Sequence, residues 1–210
     1  MTKDKDIRPM ETLDAIRTRR AVKQYDPDHR IPDADLDTIL SAGMLAPTAF
    51  NIQHWRFVVV TDPALRRQIR AVAWDQAQVT DASVLIVMCA DMQAWRKDPA
   101  HYWADAPQDV QDLMAGLINQ YYEGRPQVQR DETMRSCAQA AQTMMLAAAS
   151  LGYQSCPMDG FDFDAVAKLI NLPDDHVITM FVALGKGTQA ARPRASRLTL
   201  EQVRVRDRFA

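Results

Sequence analysis

Two hydrophobic periods take turns along this chain. In METLDAIRTRR (10–20), Leu13 and Ile16 fall on one helical face, and arginines gather at the carboxyl end, where they suit the helix dipole. PDADLDTILSAGMLA repeats Leu36, Ile39, Leu40 and Met44 at helical spacing, with Asp33 placed to cap and Pro47 to end the run. WRFVVVTD is β-rich and closes at Asp62-Pro63, after which ALRRQIRAVA returns to a helical pattern. DASVLIVMCAD carries an unbroken apolar run, Val84 to Ala90, as expected of a central strand. PQDVQDLMAGLINQYYEG and RDETMRSCAQAAQTMMLAAASLGY read as two further helices. The second is Ala-rich and apolar around most of its girth, which suits a helix buried in a domain or at a subunit interface. Cys156 and Pro157 read as loop, FDAVAKLINLP as a shorter helix, and HVITMFVALGKG as a last core strand.

Helical and extended segments are interleaved without repeats, low-complexity tracts or Gly/Ser linkers, so the expectation is one α+β domain over 10–210 behind a flexible segment, 1–9. At 210 residues and 47% hydrophobic content the chain is long enough to bury a proper core. The balance of 25 basic and 27 acidic residues leaves no overall cationic field of the kind nucleic acid binding needs. The longest apolar run is far too short for a bilayer, and residues 1–9 have no signal-peptide core. Three cysteines, without C-x-x-C spacing, point to a reducing compartment, and the expected location is the cytoplasm.

The dinucleotide, P-loop, nucleophile-elbow and H-E-x-x-H motifs are all missing. His29, His54, His101 and His176 are scattered, so no metal site is expected. Cys89 and Cys137 sit in core-like segments, and Cys156 has no activating partner nearby in sequence. Two stretches remain. RTRRAVKQYD packs Arg17, Arg19, Arg20 and Lys23 together, and LAPTAFNIQHWRFVVV sets polar residues in a loop directly before a strand. Each has an ordinary reading: basic residues decorate helix ends, Asn51 and Gln53 can bond their own loop, and Asp162 can cap a helix.

Taken together, R-R-A-V-K and P-T-A-F-N-I-Q-H-W resemble the flavin-dependent nitroreductase family, whose members carry an R-R-S-x-R-type run and a P-S-S-x-N-x-Q-P-W loop. The resemblance continues in order through WDQAQVTDASVLIVMCAD, LGYQSCPMDGFD and VALGKGTQAARPRASRL, from about Leu13 to Arg197. It implies a homodimeric three-layer α-β-α sandwich with a mainly antiparallel central sheet, holding FMN without covalent attachment between the subunits. Arg19 and Arg20 match positions at the phosphate and ribityl end. Ala21 stands where a Ser is usual, Lys23 matches the cation near flavin N1 and O2, and Arg194 and Arg197 resemble the basic pair at the phosphate.

By the same resemblance, Gln78 and Asp75, the latter in place of an Asn, face the pyrimidine edge. Pro47, Thr48, Ala49, Asn51 and Gln53 cross from the partner subunit, with His54 replacing a Pro and expected to loosen that loop. Pro157, Met158, Asp159 and Gly160 form the turn whose backbone N–H faces flavin N5. The implied activity is ping-pong transfer of reducing equivalents from NADH or NADPH to nitroaromatic, quinone or similar electron-poor acceptors, with no side-chain acid or base required. Phe50 and the aromatic stretch from Trp95 to Tyr122 are candidate walls for the acceptor, or aromatic packing under a loop. Two alternatives stay open: a reductive dehalogenase or flavin-cleaving relative, and a non-catalytic FMN-binding dimer.

Overall fold

Unbroken apolarity puts β2 (Val84–Asp91) at the heart of the sheet, where every one of its residues is buried. It pairs antiparallel with β1 (Trp55–Val60) on one side and β4 (His176–Gly185) on the other. A shift of register between Met88 and Cys89 marks a bulge against β4. β3 (Gln154–Met158) closes the order β1-β2-β4-β3, again antiparallel. The computed structural model describes residues 10–209, so the segment expected to be flexible, 1–9, lies outside the described residues.

Helices cover both faces. On one lie α3 (Pro63–Ala71), α4 (Gln78–Asp81) and α8 (Phe163–Leu169), over a core that includes Ile69, Val79, Leu85, Val87, Val166 and Phe181. On the other lie α2 (Asp33–Met44) and the long α7 (Pro126–Ser150), over Ile39, Ile86, Met88, Met144 and Leu184. The expected three-layer arrangement is therefore present within one chain. An excursion between β2 and α7 carries α5 (Ala94–Lys97), a 3₁₀ turn (Pro99–Trp103) and α6 (Gln108–Tyr122), and forms a third, aromatic cluster around Trp95 and Tyr122.

Several local readings need correcting. Residues 154–158 are an edge strand and not a loop; the edge tolerates Pro157 because its outer side carries only an isolated bridge, at Ser155, and no continuous ladder. Asp33 does not cap α2: it is the first helical residue, Pro32 holds the cap position, and no side chain bonds there. Asp62 does cap α3, accepting from Ala64 N at 2.9 Å and Leu65 N at 3.3 Å. α7 begins at Pro126, earlier than the pattern indicated, with proline in the first turn where its missing N–H costs nothing. In α1 (Thr12–Thr18) the shared face of Leu13 and Ile16 is turned outward, and Ala15 is the buried residue.

Candidate functional site

After α1 the chain runs beside β3. Ala21 bridges Ser155 in parallel, Val22 N donates to Ser155 O at 3.0 Å, and Thr188 N donates to Gln24 O at 3.1 Å. These bonds bring residues 19–26, 154–156 and 186–188 to one junction, which opens into a cleft of about 540 Å³ lined by Arg19, Arg20, Ser155, Gly187 and Gln189. A second hollow of about 390 Å³ adjoins Ala21, Lys23, Gln24 and Arg192.

The arginines and the lysine of this junction, Arg19, Arg20, Lys23 and Arg194, gather without a carboxylate bonded to them among the described residues. Arg194 Nη2 donates to the carbonyls of Ile16, Arg17 and Arg19 at 3.4, 3.3 and 3.1 Å, and Arg20 Nη1 donates to Arg17 O and Arg19 O at 2.6 and 2.9 Å. Both satisfy free carbonyls at the end of α1. Desolvation, then the nearby charges of Arg20, Arg197 and Arg19, hold the Arg194 pKa below its ordinary value. Among the described residues, no salt bridge reaches Arg19, Arg20, Lys23, Arg194 or Arg197. Arg19 Nη1 and Ser155 Oγ are buried without a partner. A buried donor left unpaired inside a cluster of cations is expensive, and an anion with several acceptor oxygens removes the expense. Burial pushes the thiol of Cys156 up, against the pull of Lys23 and Arg19, so this cysteine is a packed, protonated residue.

At the far end of β3 the chain passes through Pro157 and Met158 into Asp159 and Gly160. Gln76 Nε2 donates to Gly160 O at 2.9 Å, and Gln78, itself buried, donates to Gln76 Oε1 at 3.0 Å. Gln78 thus braces the turn through Gln76, a residue the sequence did not single out. Asp75 is exposed and its carboxylate accepts from Arg70 Nε at 2.7 Å. A Cβ at Gly160 would come within 2.6 Å of the Trp74 ring, so a larger residue there would displace that indole.

The polar loop sits elsewhere. Pro47, Thr48 and Ala49 line a small hollow with Glu132, Arg135 and Ser136 of α7, and Thr48 Oγ1 lies 2.9 Å from Ser136 Oγ. Asn51 donates to Tyr102 O at 3.0 Å and Gln53 to Asn51 O at 3.2 Å. Phe50, Asn51 and Gln53 all adopt positive φ. His54 does not loosen this loop: it is fully buried, its Nδ1 is 3.1 Å from Asp91 O, and its carbonyl accepts from Asp91 N at 2.9 Å. Burial lowers its pKa and keeps the ring neutral. The arginine cleft touches Ala149 at the C-terminal end of α7, whereas Ser136 stands near the middle of that helix. From Ser136 to Ala149, at about 1.5 Å per residue, the two features stand about 20 Å apart along the helix axis.

Comparison with known proteins identifies the family and the fold. A family model described as the nitroreductase family matches residues 16–186. The chain belongs to the nitroreductase family. Protein DrgA of Synechocystis is 51% identical over 182 residues, 87% of each chain. YodC of Bacillus subtilis, assigned by name to the NAD(P)H nitroreductases, is 29% identical and covers 91% of this chain and 96% of its own. Among solved structures, a nitroreductase-type protein of Exiguobacterium sibiricum in complex with FMN superposes with a TM-score of 0.87 at 25% identity, covering 94% of this chain and 98% of that one. YdfN of Bacillus subtilis superposes with a TM-score of 0.86 at 29% identity, over 91% and 96%. This nitroreductase therefore has both its family and its fold as the sequence resemblance implied.

A larger groove, about 920 Å³, lies between α2 and α3 and is lined by Arg30, Arg66, Arg67 and Arg70, of which the most heavily bonded are Arg66 and Arg70. Arg66 donates to the carbonyls of Val79, Ser83 and Ala82, and Arg70 is engaged by Asp75 and Thr80. Asp91, Asp175 and His176 converge as well, yet the Lys97 ammonium sits between the two carboxylates at 2.7 and 2.8 Å. Cys89 and Cys137 are buried, with pKa values pushed up by desolvation to about 12. No helix among the described residues is long and apolar enough to cross a membrane.

Proposed function

We propose that this chain, an oxidoreductase by its family, is an FMN-dependent enzyme that takes reducing equivalents from NADH or NADPH and passes them to nitroaromatic, quinone or similar electron-poor acceptors in a ping-pong cycle. The observation that carries the reading is the cationic junction at Arg19, where a buried guanidinium N–H and the Ser155 hydroxyl have no partner. That donor set fits a phosphate monoester. Arg19, Arg20, Arg194 and Arg197 hold the phosphate end of FMN. Lys23 neutralises charge at the pyrimidine end, Gln78 and Asp75 flank that edge, and the backbone from Pro157 to Gly160 lies along the reacting edge. Bound FMN supplies two-electron chemistry; the chain's own residues bind, orient and tune.

The site is completed by a second copy. Within one chain the loop of Pro47, Thr48, Ala49, Asn51 and Gln53 packs against the middle of α7, about 20 Å by helix rise from Ala149 at the arginine cleft, which supports its serving the site of the partner. Exposed apolar residues at Leu13, Ile16, Leu198, Leu200, Val203 and Phe209 supply surface for that assembly. The aromatic excursion backs the same loop, with Phe50 against Tyr121 at a centroid distance of 5.5 Å, and walls the acceptor pocket.

The direct experiment is to purify the protein, record a flavin spectrum, and follow its bleaching by NAD(P)H and its recovery with menadione or nitrofurazone. A colourless protein that takes up no FMN overturns the reading. Bleaching without recovery by any acceptor favours a non-catalytic FMN dimer, and turnover of halophenols alone favours a reductive dehalogenase.

A further inference from the structure

Trp74 is the anomaly near the turn at Gly160. The residue is 78% exposed, whereas Trp55 and Trp95 are buried. Its backbone is left-handed, with φ of 51°, and Asp75 follows with φ of 50°. A bulky residue adopts that conformation only where its surroundings impose it, and such strain gathers at functional positions.

The surroundings are visible. Asp162 N donates to Val72 O at 2.9 Å on one side of Trp74, and Gln76 donates to Gly160 O at 2.9 Å on the other. The indole lies against Gly160, where even a methyl group would meet its ring. The turn is thus clamped at both ends so that a large aromatic ring stands in solvent beside the Asp159–Gly160 backbone. Core packing does not account for this, because exposed indole contributes little burial and the backbone conformation works against it.

We infer that the Trp74 indole is the platform on which the acceptor ring stacks, and that it makes this enzyme selective for flat, electron-poor, fused-ring acceptors such as naphthoquinones. This rests on the functional reading above, which places the reacting edge of FMN at Gly160. The electron-rich indole face and an electron-poor ring attract in an offset stack, and a clamped turn loses little entropy when the ring binds. Trp74 touches substrate in this assignment; it takes no part in the electron transfer itself.

The test compares Trp74→Asn, which removes the ring while tolerating positive φ, with Trp74→Phe, which keeps a ring. The readout is the ratio of kcat/KM for menadione to that for ferricyanide, an acceptor that needs no stacking. The ratio falls about tenfold in Trp74→Asn, mainly through KM for menadione, and is largely restored in Trp74→Phe. A second readout needs no turnover: menadione quenches tryptophan emission of the protein without NAD(P)H, and Trp74→Phe loses most of that quenching. An unchanged ratio in Trp74→Asn, or equal quenching in Trp74→Phe, overturns the assignment. If wild-type protein holds FMN and is bleached by NAD(P)H while these variants behave as wild type, the platform fails and the functional reading stands. If wild-type protein is not bleached, the functional reading fails and the platform with it.

Discussion

Arg194 donates to the main-chain carbonyl of Arg19 at 3.1 Å, which ties the C-terminal segment to the end of α1 and sets two cations side by side with no carboxylate salt-bridged to either among the described residues. The pair is arranged for a ligand, since each guanidinium raises the cost of the other until an anion arrives. Replacing Arg19 by Met removes the buried, unpaired Nη1 and one charge-assisted contact, so FMN should be held roughly tenfold or more weakly. The thermal midpoint of the apoprotein should not fall, because no partner is lost. Both are read by FMN release on dilution and by melting with and without FMN.

Lys23 should govern redox behaviour instead of retention. A phosphate carries the same charge whether the ring is oxidised or reduced, whereas a cation at the pyrimidine end favours the anionic reduced ring. Lys23→Met should therefore lower the flavin potential by an amount equivalent to about 1–3 kcal/mol, and Arg19→Met should leave it nearly unchanged. Dye-linked redox titration separates the two variants, and the reverse pattern would mean that the roles of these residues are exchanged.

The FMN-loaded protein should sediment as a dimer at micromolar concentration. A loaded monomer would mean that the loop bonded to Ser136 serves no partner.

The ion network under the excursion should show in acid. Lys97, then His176, hold the Asp175 carboxyl at about 2, below its usual 3.8. Its folded-state pKa is depressed, so its stabilising contribution is present above pH 3.8 and is lost as pH falls through about 2. Asp175→Asn should flatten the stability profile across that window in acid titrations of the denaturation midpoint.

Asp91 is the buried member of that network, with a side chain 2% exposed, bonded to Lys97 at 2.7 Å and near Arg56 at 3.5 Å. Asp91→Ala should cost about 3 kcal/mol in denaturant unfolding, at the low end for a broken buried pair because its partners are half exposed.

Much of this was legible in the chain. β2 was readable because its apolar run is unbroken, and the start of α3 because Asp62-Pro63 is both cap and first turn. The family was readable from short motifs in order, and its model matches 16–186. Other features had no local signal. β3 is held by pairing with β4, so its Cys-Pro sequence read as loop. Leu13 and Ile16 were correctly grouped on one face, but periodicity alone does not say whether that face meets the chain's own core. Gln76, Ser155 and Trp74 escaped because their significance is relational: one braces a distant glycine, one loses its partner on burial, and one is clamped upright by its neighbours.

The 25 residues of α7 make a rod about 38 Å long, at about 1.5 Å per residue. Its middle, at Glu132 to Gln139, touches the polar loop, and its C-terminal end, at Ala149, touches the arginine cleft. In the proposed dimer those two stretches would belong to different flavins, so each helix would form a rigid link between the two sites. A tilt that tightens the phosphate grip of one site disturbs the loop of the other. In such a dimer the stiffness of this helix would bear on whether the two sites fill independently.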